Sequence, residues 1–147
     1  MPSLALYQPE IAQNLGAATR IAACFDAEVH VIEPCGFPWR ERDIRKVALD
    51  YQAVLTRHRD WDNFTGAIDG RVVLLTTRGE TAHHAFDFDD SDILLLGMES
   101  AGVPAEIHDA ADARIRIPLS PKARSLNVSV AGAIVLAEAS RQLDRFS

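Results

Sequence analysis

Residues 93–104 read Ile93-Leu94-Leu95-Leu96-Gly97-Met98-Glu99-Ser100-Ala101-Gly102-Val103-Pro104, four aliphatic residues running into a polar turn bracketed by glycines. No polar residue alternates with the apolar ones. That is the pattern of a strand covered on both faces, as in a parallel sheet sandwiched between helices. A glycine at the strand end lets backbone approach a ligand closely or take positive φ, and ligands of open α/β sheets bind outside the carboxyl ends of strands.

Working outward, the same grammar recurs. Further strands are expected at Leu4–Tyr7, Val29–Ile32, Ala53–Leu55, Val72–Thr76 and Ile115–Ile117. Between the first two, Ile11, Leu15, Ala18, Ala22 and Phe25 recur every three or four residues as one apolar helix face, with Asn14 as its expected N-cap. The stretch Asn127–Leu143, with its small-residue run VSVAGAIVLAEAS, predicts a helix buried against the sheet or a second subunit. Strand–helix alternation of this kind predicts an α/β fold, a mainly parallel sheet flanked by helices, in a single domain spanning 1–147.

Composition narrows the class. With 48% hydrophobic and 24% charged residues the chain can build a core, which excludes wholesale disorder. No apolar run approaches the ~20 residues of a membrane-spanning helix. The opening MPSLALYQPE lacks a basic leader followed by a long apolar stretch, and Cys24 and Cys35 form no CxxC pair; a reduced cytoplasmic protein is expected.

The net charge is −6, yet it is unevenly spread. From Glu80 to Asp112 there are nine acids and no Lys or Arg, and removing them leaves the rest of the chain at +3. Arg40, Arg42, Arg45, Lys46, Arg57 and Arg59 face three acids, and Arg114, Arg116, Lys122, Arg124, Arg141 and Arg145 face two. Such polarity suits either a polyanion-binding face or ordinary solvated helices.

Three strand-end loops are the places to look for chemistry: Thr76-Thr77-Arg78-Gly79, Gly97–Pro104, and Pro118–Asn127 with its PLSPKARS run. Singly, Gly97 and Gly102 fit plain turns and Ser125 fits a helix cap. Converging on one sheet edge, the three loops make a small-molecule pocket. Elsewhere the signals are thin. His83 and His84 are adjacent and diverge, Asp87, Asp89, Asp90 and Asp92 lack the glycine and glutamate of a calcium loop and read as solvated, and Cys24 reads as core. The GxGxxG, GxxxxGK[ST] and GxSxG motifs do not occur, which removes the commonest dinucleotide, P-loop and serine-hydrolase readings.

In this order the loops resemble the three motifs of the SPOUT-class RNA methyltransferases, in the SpoU-like 2′-O-ribose branch. Asn14-Leu-Gly-Ala-Ala-Thr-Arg20 is similar to the first, Gly97-Met-Glu99-Ser-Ala-Gly102-Val-Pro104 to the second, and Ile117-Pro-Leu through Arg124-Ser125-Leu-Asn127-Val-Ser129 to the third. Tyr7–Ile11, Ile32–Trp39, Leu49–Tyr51 and Thr76–Gly79 further resemble the short, single-domain tRNA (cytidine/uridine 2′-O)-methyltransferases of the wobble position. Two positions depart from that pattern: Ala17, where many relatives have Asn, and Ala137, where many have Tyr.

The resemblance implies a deep C-terminal trefoil knot, an arrangement very rare among proteins. It implies S-adenosylmethionine bound at Leu75, Gly97, Ile117 and Ser125, with Thr76, Glu99, Pro118 and Leu126 secondary, and S-adenosylhomocysteine as product. It implies a homodimer joined through the last and first helices, tRNA as partner, and no metal. Arg20 is the implied catalytic group. A guanidinium does not give up its proton in a protein, so its expected task is to stabilise developing alkoxide and clamp a phosphate. Asn14, Arg40, Arg45 and Arg124 are expected RNA contacts, with Arg42, Lys46, Arg57 and Arg59 further phosphate candidates. Trp39 and Tyr51 are candidate base-stacking platforms and His58 a candidate pocket residue. The same chemistry on ribosomal RNA is the alternative reading, and a knotted RNA-binding protein without activity the alternative of a different class.

Overall fold

In the computed structural model, residues 1–48 and 53–146 are described. The aliphatic run Ile93–Leu96 is a fully buried strand near the middle of a parallel sheet. The elements in chain order are β1 (Ser3–Tyr7), α1 (Ala12–Cys24), β2 (Val29–Ile32), α2 (Glu41–Ala48), β3 (Leu55–His58), α3 (Trp61–Ala67), β4 (Val72–Leu75), β5 (Thr81–Ala82), a 3₁₀ turn (His83–Ala85), β6 (Ile93–Leu96), α4 (Ala105–Ala110), β7 (Ala113–Arg116) and α5 (Val128–Gln142). The seven strands lie in the order β3-β2-β1-β6-β4-β7-β5, and every pairing is parallel.

Alternate strand residues serve two cores, which is why the strands read as unbroken apolar runs. On one face Leu4, Leu6, Leu94 and Leu96 pack with Leu15, Ala18 and Ala22 of α1 and with Val135, Leu136 and Ala139 of α5. On the other, Ala5, Tyr7, Leu74 and Leu95 pack with Phe64 of α3 and Ile107 of α4. The small residues of α5 let it sit close: a Cβ on Gly132 would come within 3.3 Å of Leu96 Cδ1.

Several expectations shift. The third strand is Leu55–His58 rather than Ala53–Leu55, because it is an edge strand with Thr56 and Arg57 facing solvent, and apolarity alone misplaced it. Strand β4 stops at Leu75, β7 starts two residues and ends one residue earlier than expected, and the two-residue β5 carried too little pattern to be foreseen. Asn14 does not cap α1: Ile11 holds that position without a side-chain bond, and Asn14 lies inside the first turn, buried. Cys24 is exposed, because Ala22 takes the inward position and a residue two further on turns away from it. Asp92 is fully buried rather than solvated. Arg71 precedes β4 and Asp92 precedes the adjacent β6, so the two meet in a bidentate pair at 2.8 Å, and the Asp89 backbone N–H also donates to Asp92 at 2.8 Å. Among the described residues no helix is long and apolar enough to cross a membrane.

Candidate functional site

Because all strands run one way, the loops after β4, β6 and β7 open on a single edge. The loop after β6 closes on itself: Met98 and Gly102 exchange backbone bonds of 2.7 and 2.9 Å. Both glycines are required there. A Cβ on Gly97 would fall 2.6 Å from the Gly102 Cα, and Gly102 holds φ +66°, the left-handed region that side chains disfavour. The loop after β4 is pinned from below, with Thr76 N–H donating to the Ile115 carbonyl and Arg116 Nη1 donating to the carbonyls of Gly79 and Glu80. The loop after β7 runs through a turn in which Ala123 N–H reaches the Ser120 carbonyl, and ends at Asn127, the N-cap of α5.

Between these loops lies a cavity of about 350 Å³. Leu75, Thr76, Gly97, Glu99, Ile117, Ser125 and Leu126 line it, as does Arg124. Pro118 is exposed and stands outside the lining. Arg78 and Val103, from the first two of these loops, also face the space, as does His108, which lies outside all three. His108 comes from α4, four residues after Pro104, so the proline that ends the second loop was the available signal.

A polar chain ties the first-helix segment to two of these loops. Glu99 accepts from the Glu10 backbone N–H at 2.8 Å and from Asn14 Nδ2 at 3.4 Å. Asn14 Oδ1 accepts from Asn127 Nδ2 at 2.9 Å, while Asn127 Oδ1 takes the Ser129 and Val130 N–H groups and the Ser129 hydroxyl. Glu10 in turn accepts from the Ser100 backbone N–H and hydroxyl, and these bonds hold its carboxyl below the usual carboxylate range. Asn14 is thus buried with both amide atoms engaged inside the fold.

The remaining predicted residues are spread along α1, α2 and their loops. Arg20 is exposed on α1, six residues beyond Asn14, and makes a polar or ring contact within the fold. Arg40 is exposed immediately before α2, where its carbonyl accepts from the Asp43 and Ile44 N–H groups. Arg45 is exposed on α2 in an i,i+4 pair with Glu41 at 3.1 Å. His58 is not a pocket residue: it is buried at the end of the edge strand β3, its Nε2 2.9 Å from His30 Nδ1 and its ring against Phe64. Burial pushes the pKa of both histidines down, and the neighbouring His58 lowers that of His30 further. Burial, reinforced by Glu33, pushes the Cys35 thiol up to about 11, which removes it as a nucleophile. Tyr51 lies outside the described residues. No group of three or more His, Cys, Asp or Glu among the described residues could hold a metal.

This arrangement has close counterparts. The chain is 49% identical over 150 residues to the tRNA (cytidine(34)-2′-O)-methyltransferase of Ancylobacter novellus, covering 99% of this chain and 95% of that one. A solved structure concerned with the 2-OH methylation of C/U34 on tRNA superposes with a TM-score of 0.93 at 36% identity, covering 98% of this chain and 97% of that one. An AdoMet-bound rRNA methyltransferase from Sinorhizobium meliloti superposes with a TM-score of 0.79 at 27% identity, over 97% of this chain and 56% of that chain. The profile of the SpoU rRNA Methylase family matches residues 1–137, and the chain belongs to that family.

Proposed function

We propose that this chain is an S-adenosylmethionine-dependent methyltransferase acting on the ribose 2′-OH of the wobble cytidine or uridine, nucleotide 34, of tRNA. The observation that carries the reading is the cavity itself: the second and third motif loops and the loop after β4 wall one space at the carboxyl edge of the sheet. Its size falls within the roughly 300–1,000 Å³ of small-ligand sites. Its composition fits the ligand, with Leu75, Leu96, Ile117 and Leu126 as an apolar slot for an adenine and the Gly97–Gly102 turn bringing backbone polar groups to its edge. The near full-length similarity to a tRNA (cytidine(34)-2′-O)-methyltransferase supports the choice of substrate.

S-adenosylmethionine, when bound, supplies an electrophilic methyl group on a sulfonium. The chain's own residues do the rest. Leu75, Gly97, Ile117 and Ser125 hold the donor, with Thr76, Glu99 and Leu126 on the same walls. Fixing donor and acceptor in line supplies several kcal/mol of the barrier. As the 2′-OH proton leaves to solvent water and the methyl passes from the sulfonium, whose carbon–sulfur bond breaks to leave S-adenosylhomocysteine, Arg20 would stabilise the negative charge growing on the 2′ oxygen and clamp the neighbouring phosphate, keeping its own proton throughout. Arg124, on the cavity wall, and Arg40 and Arg45, beside and on α2, meet phosphates. Asn14 works from beneath as a positioning residue through Glu99 and Asn127.

The same reading makes residues 1–147 one domain whose last segment threads into a trefoil knot. In its support, the loops 97–104 and 117–127 wall one cavity, and α5 then returns to pack on α1 and β6. It also makes the protein a homodimer. Ile11 and Val130, at the starts of the packed pair α1 and α5, are 44% and 46% exposed, which leaves apolar side chains for a second subunit to cover. Deleting the gene and measuring tRNA nucleosides by mass spectrometry tests the substrate: loss of ribose methylation at nucleotide 34 is expected, and unchanged methylation there refutes it. Calorimetry with S-adenosylhomocysteine separates an enzyme, which binds it, from an inactive RNA-binding knot, which does not.

A further inference from the structure

Glu33, Trp39 and Arg57 form a cluster outside the cavity to which the proposed methyl transfer gives no task, although Arg57 singly was expected at a phosphate and Trp39 singly at a base. Arg57 lies on β3 opposite Val31, and Glu33 follows β2. Arg57 Nε and Nη2 donate to the two Glu33 carboxylate oxygens at 2.7 and 3.2 Å, and the guanidinium carbon lies 4.1 Å from the centroid of the Trp39 ring. Trp39 itself packs against the core. The guanidinium is therefore fixed in plane by the carboxylate and backed by an aromatic, yet the Arg57 side chain is 44% exposed.

A phosphate clamp needs no such fixing, since charge alone attracts it. A flat cation held rigid and open to solvent is suited to stacking, because exposed bases of single-stranded RNA stack on guanidinium planes as well as on aromatic rings. Its place on the molecule agrees. Glu33 and Trp39 follow β2, two strands from β6, so this spot stands about 10 Å along the carboxyl edge from the second motif loop. The intervening loops are joined: Gly36 N–H donates to the Pro9 carbonyl, and Glu10 bonds to Ser100 and Glu99. Exposed Arg40, Arg42, Arg45 and Lys46 follow Trp39 directly in the chain and complement an RNA backbone.

We propose that the Arg57 guanidinium, backed by Trp39 and clamped by Glu33, is a stacking platform for a nucleobase next to the methylated nucleotide in the single-stranded loop. This rests on the reading of the chain as an RNA methyltransferase.

The test uses the full-length protein and a synthetic anticodon stem-loop, with a set of stem-loops each lacking one base near nucleotide 34. Arg57→Ala raises KM for the intact stem-loop about tenfold, by the usual worth of one base stack, while S-adenosylhomocysteine affinity stays as in wild type. Arg57→Lys does not rescue, because an ammonium keeps the charge and loses the plane. The double variant Arg57→Ala/Glu33→Ala, which leaves no unpaired carboxylate, shows the same KM as Arg57→Ala. At one position, removing the base costs the wild type the same factor and costs Arg57→Ala nothing more. Full rescue by Arg57→Lys, penalties that multiply at every position, or an unchanged KM overturns the platform. Methylation of the intact stem-loop by wild type reports separately on the enzyme reading.

Discussion

The Asn127 side-chain amide donates to Asn14 Oδ1 at 2.9 Å, joining the start of α5 to the first turn of α1 across 113 residues of chain. Asn14 spends its other amide atom on Glu99, so one buried side chain couples the first-helix motif to two of the three loops that wall the cavity. A buried polar link of this kind is costly to half-break, since the abandoned partner keeps its desolvation penalty.

Replacing Asn127 by Ala removes a helix cap and leaves Asn14 without its partner. A cost of about 2 kcal/mol is expected from the cap and the lost bond, seen as a fall of roughly 6 °C in Tm for a chain of this size. Asn127→Asp is the sharper variant. It keeps the cap but offers no donor to Asn14, and turning the Asn14 amide over only moves the mismatch to Glu99. A stability loss of about 1–2 kcal/mol from the half-broken link, with the helix cap kept, and weakened S-adenosylhomocysteine binding by calorimetry are the expected results.

Gly97→Ala tests the closed turn after β6. The added methyl would meet the Gly102 backbone at 2.6 Å, so the loop must open into the cavity. The variant is expected to fold, with the sheet intact by circular dichroism, and to lose at least tenfold in affinity for S-adenosylhomocysteine.

Much of the framework was legible because burial on both faces leaves a plain signature. Val29–Ile32 and Ile93–Leu96 were bounded correctly from their unbroken apolar runs. The edge strand β3 was not, since half of it faces water and it reads Leu-Thr-Arg-His. Seven of the eight residues that the family resemblance implies as donor contacts line one cavity, Pro118 being the exception. What stayed hidden were partnerships set by register between distant strands. Arg71 with Asp92, His30 with His58 and Arg57 with Glu33 are each separated by more than twenty residues, and no local pattern couples them.

The Arg71–Asp92 pair is a structural one. Removing Arg71 leaves a fully buried carboxylate with only the Asp89 N–H to hold it. A loss of about 2–3 kcal/mol is expected for Arg71→Ala, discounted because the arginine is half exposed. Chemical denaturation of wild type and variant at pH 7 checks it.

The His30–His58 pair makes stability depend on pH. Both rings are held neutral by burial, so their folded pKa values lie below the unfolded value of about 6.5. The unfolded chain then binds more protons between those values, and stability rises with pH through that window. The protein is expected to lose Tm as pH falls from 7.5 to 5.5. His58→Phe, which keeps an aromatic against Phe64, is expected to flatten that slope.

Arg20→Ala is expected to bind S-adenosylhomocysteine as wild type does and to lose turnover by about 10²–10³, the usual worth of one charge-stabilising donor. Arg20→Lys keeps a charge without the fork and is expected to recover only part of the rate.

Methyl transfer from S-adenosylmethionine to one ribose hydroxyl is the step on which every role above depends. It is tested most directly by incubating the purified protein with donor carrying a deuterated methyl group and a synthetic anticodon stem-loop, then digesting the RNA and reading fragment masses. One labelled methyl on the ribose of nucleotide 34 is expected, and none when that nucleotide is 2′-deoxy. A label on a base, on another nucleotide, or still present in the 2′-deoxy substrate would contradict it.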